Sequence, residues 1–326
     1  MYKVASLFCG CGGLDLGLRG DFKLPYHKQR FPKGGFDVVW ANDFDHNAVA
    51  TYNGFFGPHA VQGDIVSIMS DVKEALKKKS AILPHGFPKP GTIDVVTGGF
   101  PCQPFSLAGK REGLGDRRGK LYLAMCDAIS VLKPKAFIAE NVRGLMSING
   151  GDTLELITKD LEQLGYKVFT KLYKAYEWGV PQTRERVIII GVKKGLPDFM
   201  HPEPAKEPRV VTLKDAIGDL EGYDAGQFPA HIWSKAKKNV GQGNTVCKAD
   251  RPGPTMRAEH HGNIEFHYSL KRRLSAREAA RIQSFPDNMI FIPSTSAAYK
   301  QVGNAVPPVL GWHVGQALKK YLDKSL

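Results

Sequence analysis

Apolar residues in this chain gather in short continuous runs rather than alternating with polar ones. Five of these runs, rich in Val and Ile, span residues 3–8, 36–41, 93–98, 136–141 and 186–192. A strand that is covered on both faces has such a continuous pattern. The five runs are therefore predicted to form buried strands.

Segments with helical character separate the runs, among them residues 119–133 and 152–164, and a last helix is predicted near 309–323. Strands that alternate with helices are typical of βαβ units with a parallel sheet. We therefore predict an α/β fold with a doubly wound, mostly parallel sheet.

The pattern loses its regularity after the fifth run. Residues 196–270 are rich in Gly, Pro, His and Asn and show few regular periods. We predict a catalytic domain over residues 1–195, completed by residues 271–326, with a smaller domain over residues 196–270 inserted into it.

Composition limits the class of protein. The chain has 326 residues, 42% of them hydrophobic, which is enough for a large core. No apolar run approaches the roughly 20 residues of a membrane span, and no signal peptide precedes the first strand, so a cytoplasmic protein without membrane contact is expected. Five cysteines, an odd number, do not indicate a disulfide framework. Cys9 and Cys11 do not have the spacing of a zinc site, so no metal is expected.

The formal net charge of +13 favours a polyanionic partner such as nucleic acid. A basic protein without such a partner would have the same composition, so the charge alone does not decide. The excess is local, because residues 103–120 hold five Lys or Arg against two acidic residues, and residues 271–281 hold five against one.

A glycine-rich segment, "FCGCGG" at residues 8–13, follows the first strand and opens a helix. Gly10, Gly12 and Gly13 would let a ligand approach the backbone closely. The segment is no P-loop, and Asp15 stands where the dinucleotide fingerprint needs its last glycine. Taken alone, it is weak support for a nucleotide-like cofactor.

Two acidic residues strengthen this interpretation. Asp43 ends the second strand, where a carboxylate can accept hydrogen bonds from ribose hydroxyls, and Asp64 ends a short third strand, where it can accept from an adenine amino group. Each aspartate alone is more often a loop residue or a helix cap. A glycine-rich turn and two acids at successive strand ends together favour a cofactor that contains adenosine.

The segment "GGFPCQPFS", residues 98–106, places one thiol at the end of a predicted strand. Pro101 and Pro104 restrict the backbone on either side of Cys102, which would aim its sulfur out of the carboxyl edge of the sheet. On this segment alone, a turn with an incidental buried cysteine is equally compatible.

Further polar residues follow other strands. Glu140, in the segment "AENV" at residues 139–142, ends another predicted strand. It is a candidate proton donor or hydrogen-bond partner. Arg184 and Arg186 would share one face of an extended chain, although a surface salt bridge would also explain Arg184. Residues 301–308, "QVGNAVPP", are predicted to form a tight turn before the last helix.

In this order the motifs resemble those of the DNA (cytosine-5) methyltransferases, of the bacterial restriction-modification type. The resemblance covers nearly the whole chain through "FCGCGG", "NDFD", "GDI", "GGFPCQPFS", "AENV", "QTRER", "RRLSAREAARIQSFPD" and "QVGNAVPP". It implies the doubly wound sheet of S-adenosylmethionine-dependent methyltransferases, S-adenosylmethionine as cofactor, and a target-recognition region inserted at residues 196–270.

The resemblance assigns four catalytic residues. Cys102 would attack C6 of a cytosine, Glu140 would hold or protonate the ring at N3, and Arg186 would contact O2. Arg184 would support Glu140 or the thiolate. Because C6 is not accessible inside a duplex, the target base must be flipped out.

The resemblance also implies a cofactor pocket. Phe8 would lie against the adenine, although core packing is the simpler explanation for Phe8 and for Leu121. The full set of implied cofactor residues is Phe8, Gly10, Gly12, Gly13, Leu14, Asp43, Asp64, Ile65, Pro101, Leu121, Asn304 and Ala305.

Duplex DNA is the expected partner. Residues 103–120 are predicted to close over it as a lid, the alternative being a passive surface loop. The candidate DNA contacts are Gln103, Ser106, Lys110, Arg111, Arg117, Arg118, Lys235, Lys237, Lys238 and Arg257. A monomer is expected, and an independent cognate endonuclease is compatible with the resemblance.

Two other functions fit the same motifs. A tRNA cytosine-5 methyltransferase of the family would share the catalytic set, but the Cys-Phe-Thr tripeptide typical of that branch is not present. A catalytically inactive DNA-binding regulator would not need Cys102, Glu140, Arg184 and Arg186.

One further helix matches a family signature. Residues 275–285 have helical character, and Ser275 and Glu278 have the spacing of a capping box. Arg277, Glu278 and Arg281 are predicted to brace the recognition region rather than to take part in chemistry.

Overall fold

A computed structural model of the protein describes residues 1–28, 30–101, 117–235, 244–258 and 264–325, apart from the side chains of Arg117 and Arg118. The strands are β1 (Tyr2–Leu7), β2 (Phe36–Asp43), β3 (Ala60–Gln62), β4 (Val95–Gly98), β5 (Ala136–Val142), β6 (Tyr166–Lys174), β7 (Glu185–Lys193), β8 (Thr245–Val246) and β9 (Glu265–Phe266). The α-helices are α1 (Gly13–Arg19), α2 (His46–Phe56), α3 (Ile65–Lys77), α4 (Arg117–Leu132), α5 (Asp152–Gln163), α6 (Leu213–Ile217), α7 (Ala276–Ile282), α8 (Thr295–Asn304) and α9 (Pro308–Ser325).

The first seven strands form one sheet in the order β3-β2-β1-β4-β5-β7-β6. In the sheet order, the adjacent strands β3, β2, β1, β4 and β5 all pair in parallel. Strand β7 pairs antiparallel with both β5 and β6. The predicted mostly parallel α/β sheet is confirmed. The five predicted strands correspond to β1, β2, β4, β5 and β7.

Helices cover both faces of the sheet, which explains the continuous apolar runs. In β7, Ile188 and Ile190 pack with the cluster that contains residues of α1 and α9. Val187 and Ile189 point to the other face and pack with residues of α3, α4 and α5. Successive residues of a strand face opposite sides, so every position of a strand covered on both sides must be apolar.

Helices α1 and α9 approach each other closely because they meet at a glycine. A Cβ on Gly17 would lie 2.5 Å from the carbonyl oxygen of Pro308. Any side chain at residue 17 would therefore push α9 away from the sheet. Among the described residues, no helix is long and apolar enough to cross a membrane.

Helix α7 joins the segment before it to the segment after it through buried arginines. Ser275 and Glu278 form the predicted capping box. Arg277 is fully buried and donates to the backbone carbonyls of Pro229, Pro286 and Met289 at 2.8–3.1 Å. Burial lowers the pKa of Arg277 to about 10, which leaves it charged at neutral pH.

Arg277→Met is expected to lower the free energy of unfolding by about 3 kcal/mol, because three buried carbonyls would lose their donor. Urea denaturation measures the change. Arg251→Met, the same substitution at a side chain that is 57% exposed, should shift the midpoint little. Equal midpoints for the two variants would contradict the bracing role of α7.

Candidate active site

A cavity of about 620 Å³ opens at the carboxyl ends of β1, β2, β4 and β5. In this sheet the strand order reverses between β1 and β4, and such a switch point is where open α/β sheets bind ligands. The volume lies within the range of roughly 300–1,000 Å³ that small-molecule sites occupy. The cavity is therefore large enough for a nucleoside cofactor.

The glycine-rich loop after β1 forms one wall of this cavity. Gly10 has φ +54° and an added Cβ would meet nothing within 4 Å, so its backbone faces open space. A Cβ on Gly13 would lie 2.2 Å from the carbonyl oxygen of Val306. Phe8 has φ 54°, an uncommon conformation for a residue with a side chain. The loop thus exposes backbone to the cavity and leaves no room for side chains behind it.

Eleven of the twelve predicted cofactor residues line the cavity. Gly12 is the exception among the described residues. It packs away from the cavity, where a Cβ would lie 2.3 Å from the Phe56 ring. Its φ of +90° explains the glycine, because the turn that begins α1 needs a left-handed residue there.

Asp43 holds the glycine-rich loop in place. Its two carboxylate oxygens accept from Gly10 N and from Asp45 N, each at 2.8 Å. Burial raises the pKa of the Asp43 carboxyl above its usual value, and these backbone donors oppose the shift. Asp64 caps α3 by accepting from Val66 N at 3.1 Å. Both aspartates line the cavity. Asp64 is also the N-cap of α3, as the alternative interpretation predicts, whereas the N-cap of α2 is Asp45 and not Asp43.

Among the cavity residues that the predicted set lacks, two bear on ligand binding. Phe44, next to Asp43, is 64% exposed and lines the cavity. The sequence does contain a signal for this residue, because an aromatic side chain directly follows the acid at the end of β2. Asp15 is buried at the cavity, with Ser6 Oγ donating to it at 2.8 Å, and burial raises its pKa to about 6. It is the residue that breaks the dinucleotide fingerprint.

Glu140 and Arg186 form an ion pair on the opposite wall, with Oε1 and Nε 2.7 Å apart. Glu140 lies opposite Ile188 in the antiparallel β5–β7 ladder, so Arg186, two residues away, shares its face of the sheet. A Cβ on Gly99 would lie 3.0 Å from Glu140 Oε2. Gly99 therefore leaves space for the carboxylate.

The hydrogen bonds of Arg184 within the described residues go to backbone carbonyls, and its predicted support of the Cys102 thiolate lies outside those residues. Arg184 is 1% exposed and donates to the backbone carbonyls of Met256 and Gly303, each at 2.9 Å. In the described part of the chain, the ion-pair partner of Glu140 is Arg186. The surface-salt-bridge alternative for Arg184 is wrong, because the side chain is buried.

The predicted turn over residues 301–308 is wrong in its first half. Gly303 and Asn304 are the last residues of α8, whose buried face includes Ala298 and Val302. Only the residues between α8 and Pro308 form a connection. Helical spacing of apolar residues before Gly303 outweighs its tendency to form a turn.

The predicted nucleophile lies outside the described residues, but the structure fixes where the chain leads to it. Phe100 O accepts from Asn141 Nδ2 at 2.9 Å, which ties the end of β4 to β5. Pro101 lines the cavity, and Cys102 is the next residue.

Other predicted residues share this limit. The predicted DNA contacts outside the described residues are Gln103, Ser106, Lys110, Arg111, Lys237 and Lys238. Arg117 and Arg118 are the first two residues of α4. Lys235 and Arg257 are exposed. Among the described residues, no group of three or more His, Cys, Asp or Glu is placed to hold a metal.

Comparison with known proteins gives one consistent result. A family described as "C-5 cytosine-specific DNA methylase" matches residues 2–249 and 224–320. Type II methyltransferase M.NgoFVII of Neisseria gonorrhoeae is 34% identical, over 94% of this chain and 83% of its own length. Type II methyltransferase M.PspPI of Psychrobacter sp. strain TA137 is 35% identical, over 99% of this chain and 80% of its own.

Solved structures agree on the fold. A protein described as a DNA modification methyltransferase from an E. coli prophage has a TM-score of 0.72 at 24% identity, covering 99% of this chain and 100% of its own. S. pombe Dnmt2 has a TM-score of 0.69 at 18% identity, covering 98% and 99%. With a family match and relatives that extend over nearly its whole length, the chain belongs to the C-5 cytosine-specific DNA methylase family.

Proposed function

We propose that Cys102 and the Glu140–Arg186 pair carry out the DNA cytosine C5 methylation of this family, and that residues 196–270 select the target sequence. The activity itself, and S-adenosylmethionine as methyl donor, follow from family membership. The observation that supports the residue assignment most is the ion pair on the cavity wall, beside the point where the chain leads into Cys102.

The cavity fits S-adenosylmethionine by its chemistry. The open backbone at Gly10 suits the methionine part, Asp43 the ribose hydroxyls, and Asp64 with Ile65 the adenine. Phe44 would add a flat apolar surface for the base. When bound, this cofactor supplies an electrophilic methyl group.

The chemistry needs covalent assistance because C5 of cytosine is a poor nucleophile. Addition of the Cys102 thiolate to C6 would form a C–S bond and make C5 enamine-like, so that C5 can take the methyl group. Removal of the C5 proton by a base would then break the C–S bond and restore the ring. The pKa of a free cysteine is about 8.5, and an arginine beside the sulfur favours the thiolate.

Glu140 and Arg186 would act on the ring rather than on the sulfur. The Glu140 carboxyl would hold or protonate N3, which draws electrons from C6, and Arg186 would contact O2. The 2.7 Å contact between the two side chains orients both before the base arrives. Neither interaction can form inside a duplex, so the cytosine would be flipped into the cavity.

Residues 196–270 would read the sequence, with duplex DNA as substrate. This part of the chain contains no catalytic motif, and its described portion includes the exposed side chains of Lys235 and Arg257. Likeness to bacterial type II methyltransferases supports an enzyme that works inside a bacterial cell. We propose further that it acts as a monomer, beside a separate endonuclease.

Grafting the region that matches residues 196–270 from a relative with another target should transfer that target. Bisulfite sequencing of DNA from expressing cells, compared with the wild-type chain, gives both recognition sequences. A chimera that remains active on the original sequence would contradict the assignment. The absence of methylated cytosines with the wild type would favour the RNA or the inactive alternative.

A further inference from the structure

A buried polar bridge joins the recognition region to the wall of the cofactor cavity. Its three members, Gln182, Arg184 and Gln283, are each at most 1% exposed. Gln182 and Arg184 lie in the segment before β7, and Gln283 lies at the end of α7. Buried polar side chains cost free energy unless they are paired, so the bridge requires a fixed geometry on both of its sides.

Arg184 holds one backbone carbonyl on each side. One Nη donates to Met256 O and the other to Gly303 O, both at 2.9 Å. Met256 belongs to the recognition region, and Gly303 lines the cavity next to Asn304. Because both bonds leave one planar guanidinium, movement of either carbonyl reorients the group that holds the other.

The two glutamines form a second connection. Gln182 Oε1 accepts from Met256 N at 2.9 Å, and Gln182 Nε2 donates to Gln283 Oε1 at 2.5 Å. Gln283 Nε2 donates in turn to the carbonyl of Ala305, another cavity residue. A chain of hydrogen bonds thus runs from Met256 to the cavity wall without passing through Arg184.

The two backbones also touch directly at Gly303. A Cβ there would lie 2.3 Å from the carbonyl carbon of Arg257 and 2.4 Å from Ala258 N. No side chain fits between the end of α8 and the recognition region. The two segments are therefore in contact as well as hydrogen-bonded through the bridge.

We propose that this bridge couples the two binding sites. Cofactor in the cavity would fix residues 303–305, and Arg184 would transmit this order to residues 253–258. Arg184 is then a positioning residue between cofactor and DNA. That residues 253–258 read DNA rests on the proposed function, whereas the coupling within the protein does not. Cofactor would then strengthen the binding of DNA, and because coupling is reciprocal, DNA would strengthen the binding of cofactor by the same factor.

Hydrogen exchange of the full chain, with and without S-adenosylhomocysteine, tests this coupling without DNA. In the wild type the ligand should slow exchange in peptides that cover 253–258 by about fivefold or more. Arg184→Lys removes the planar two-armed donor, so protection should remain at 303–306 and weaken at 253–258, where the Gln182–Gln283 connection still acts. Arg184→Lys combined with Gln182→Leu removes both connections and should lose the protection at 253–258. Arg251→Lys, the same change at an exposed side chain of the recognition region, should respond like the wild type.

Protection of 303–306 without protection of 253–258 in the wild type would overturn the proposal. So would an Arg184→Lys, Gln182→Leu double variant that transmits as the wild type does. If circular dichroism shows that the double variant does not fold, Gly303→Ala replaces it, since its Cβ would displace residues 257–258 and should also break transmission. The graft of residues 196–270 tests the reading of DNA separately.

Discussion

Replacing Cys102 with alanine is expected to reduce methyl transfer by about 10⁴-fold or more, the scale on which loss of a nucleophile acts in covalent enzymes. The reason is that C5 cannot take the methyl group until a nucleophile has added to C6. Transfer of tritiated methyl groups to DNA measures the rate. Binding of S-adenosylhomocysteine should survive, because the glycine-rich loop, Asp43 and Asp64 are unchanged.

Cys126→Ala is the matched control, since this thiol lies in α4 and packs against the core. It should keep a rate near that of the wild type. If Cys102→Ala retained most of its activity, or lost cofactor binding in parallel with activity, Cys102 would not be the nucleophile.

Glu140→Gln is expected to lower the rate of methyl transfer by about 10²–10⁴-fold, the range for loss of a positioned acid or base. The amide keeps the shape of the side chain but can neither protonate N3 nor balance the charge of Arg186, 2.7 Å away. Single-turnover kinetics with saturating DNA separates this effect from binding.

Glu185→Gln is the control for that variant. Glu185 precedes Arg186 in the same strand, faces the other side, and pairs with Arg143 at 2.8 Å. Its loss should leave most of the rate intact. Equal losses in Glu140→Gln and Glu185→Gln would show that charge near the cavity matters, and not a specific contact with the base.

The strands that could be predicted are those covered on both faces, because their apolar runs are unbroken. Ile188, Ile189 and Ile190 alternate between two cores and are all buried. Strand β6 escaped prediction because it is the edge strand, and lysines such as Lys167 and Lys171 interrupt its apolar residues. Its pattern does not differ from that of a surface segment.

The cavity was predictable because strand order alone brings its residues together. The carboxyl ends of parallel strands meet at one edge, so Asp43 and Glu140 fall into the same site. The partners of Arg184 were not predictable, since Met256 and Gly303 lie 72 and 119 residues away in sequence. No local pattern specifies a contact of a side chain with the backbone of a distant loop.

Covalent trapping tests the central claim most directly. Bisulfite sequencing first identifies the target, and a duplex carrying 5-fluorocytosine at that position is then incubated with the protein and S-adenosylmethionine. Release of the thiolate needs removal of a proton from C5, and fluorine in its place cannot be removed by a base, so the C6–sulfur bond should persist. Mass spectrometry of the digested complex should find the adduct on Cys102. An adduct on another residue, or methyl transfer without any adduct, would contradict the mechanism.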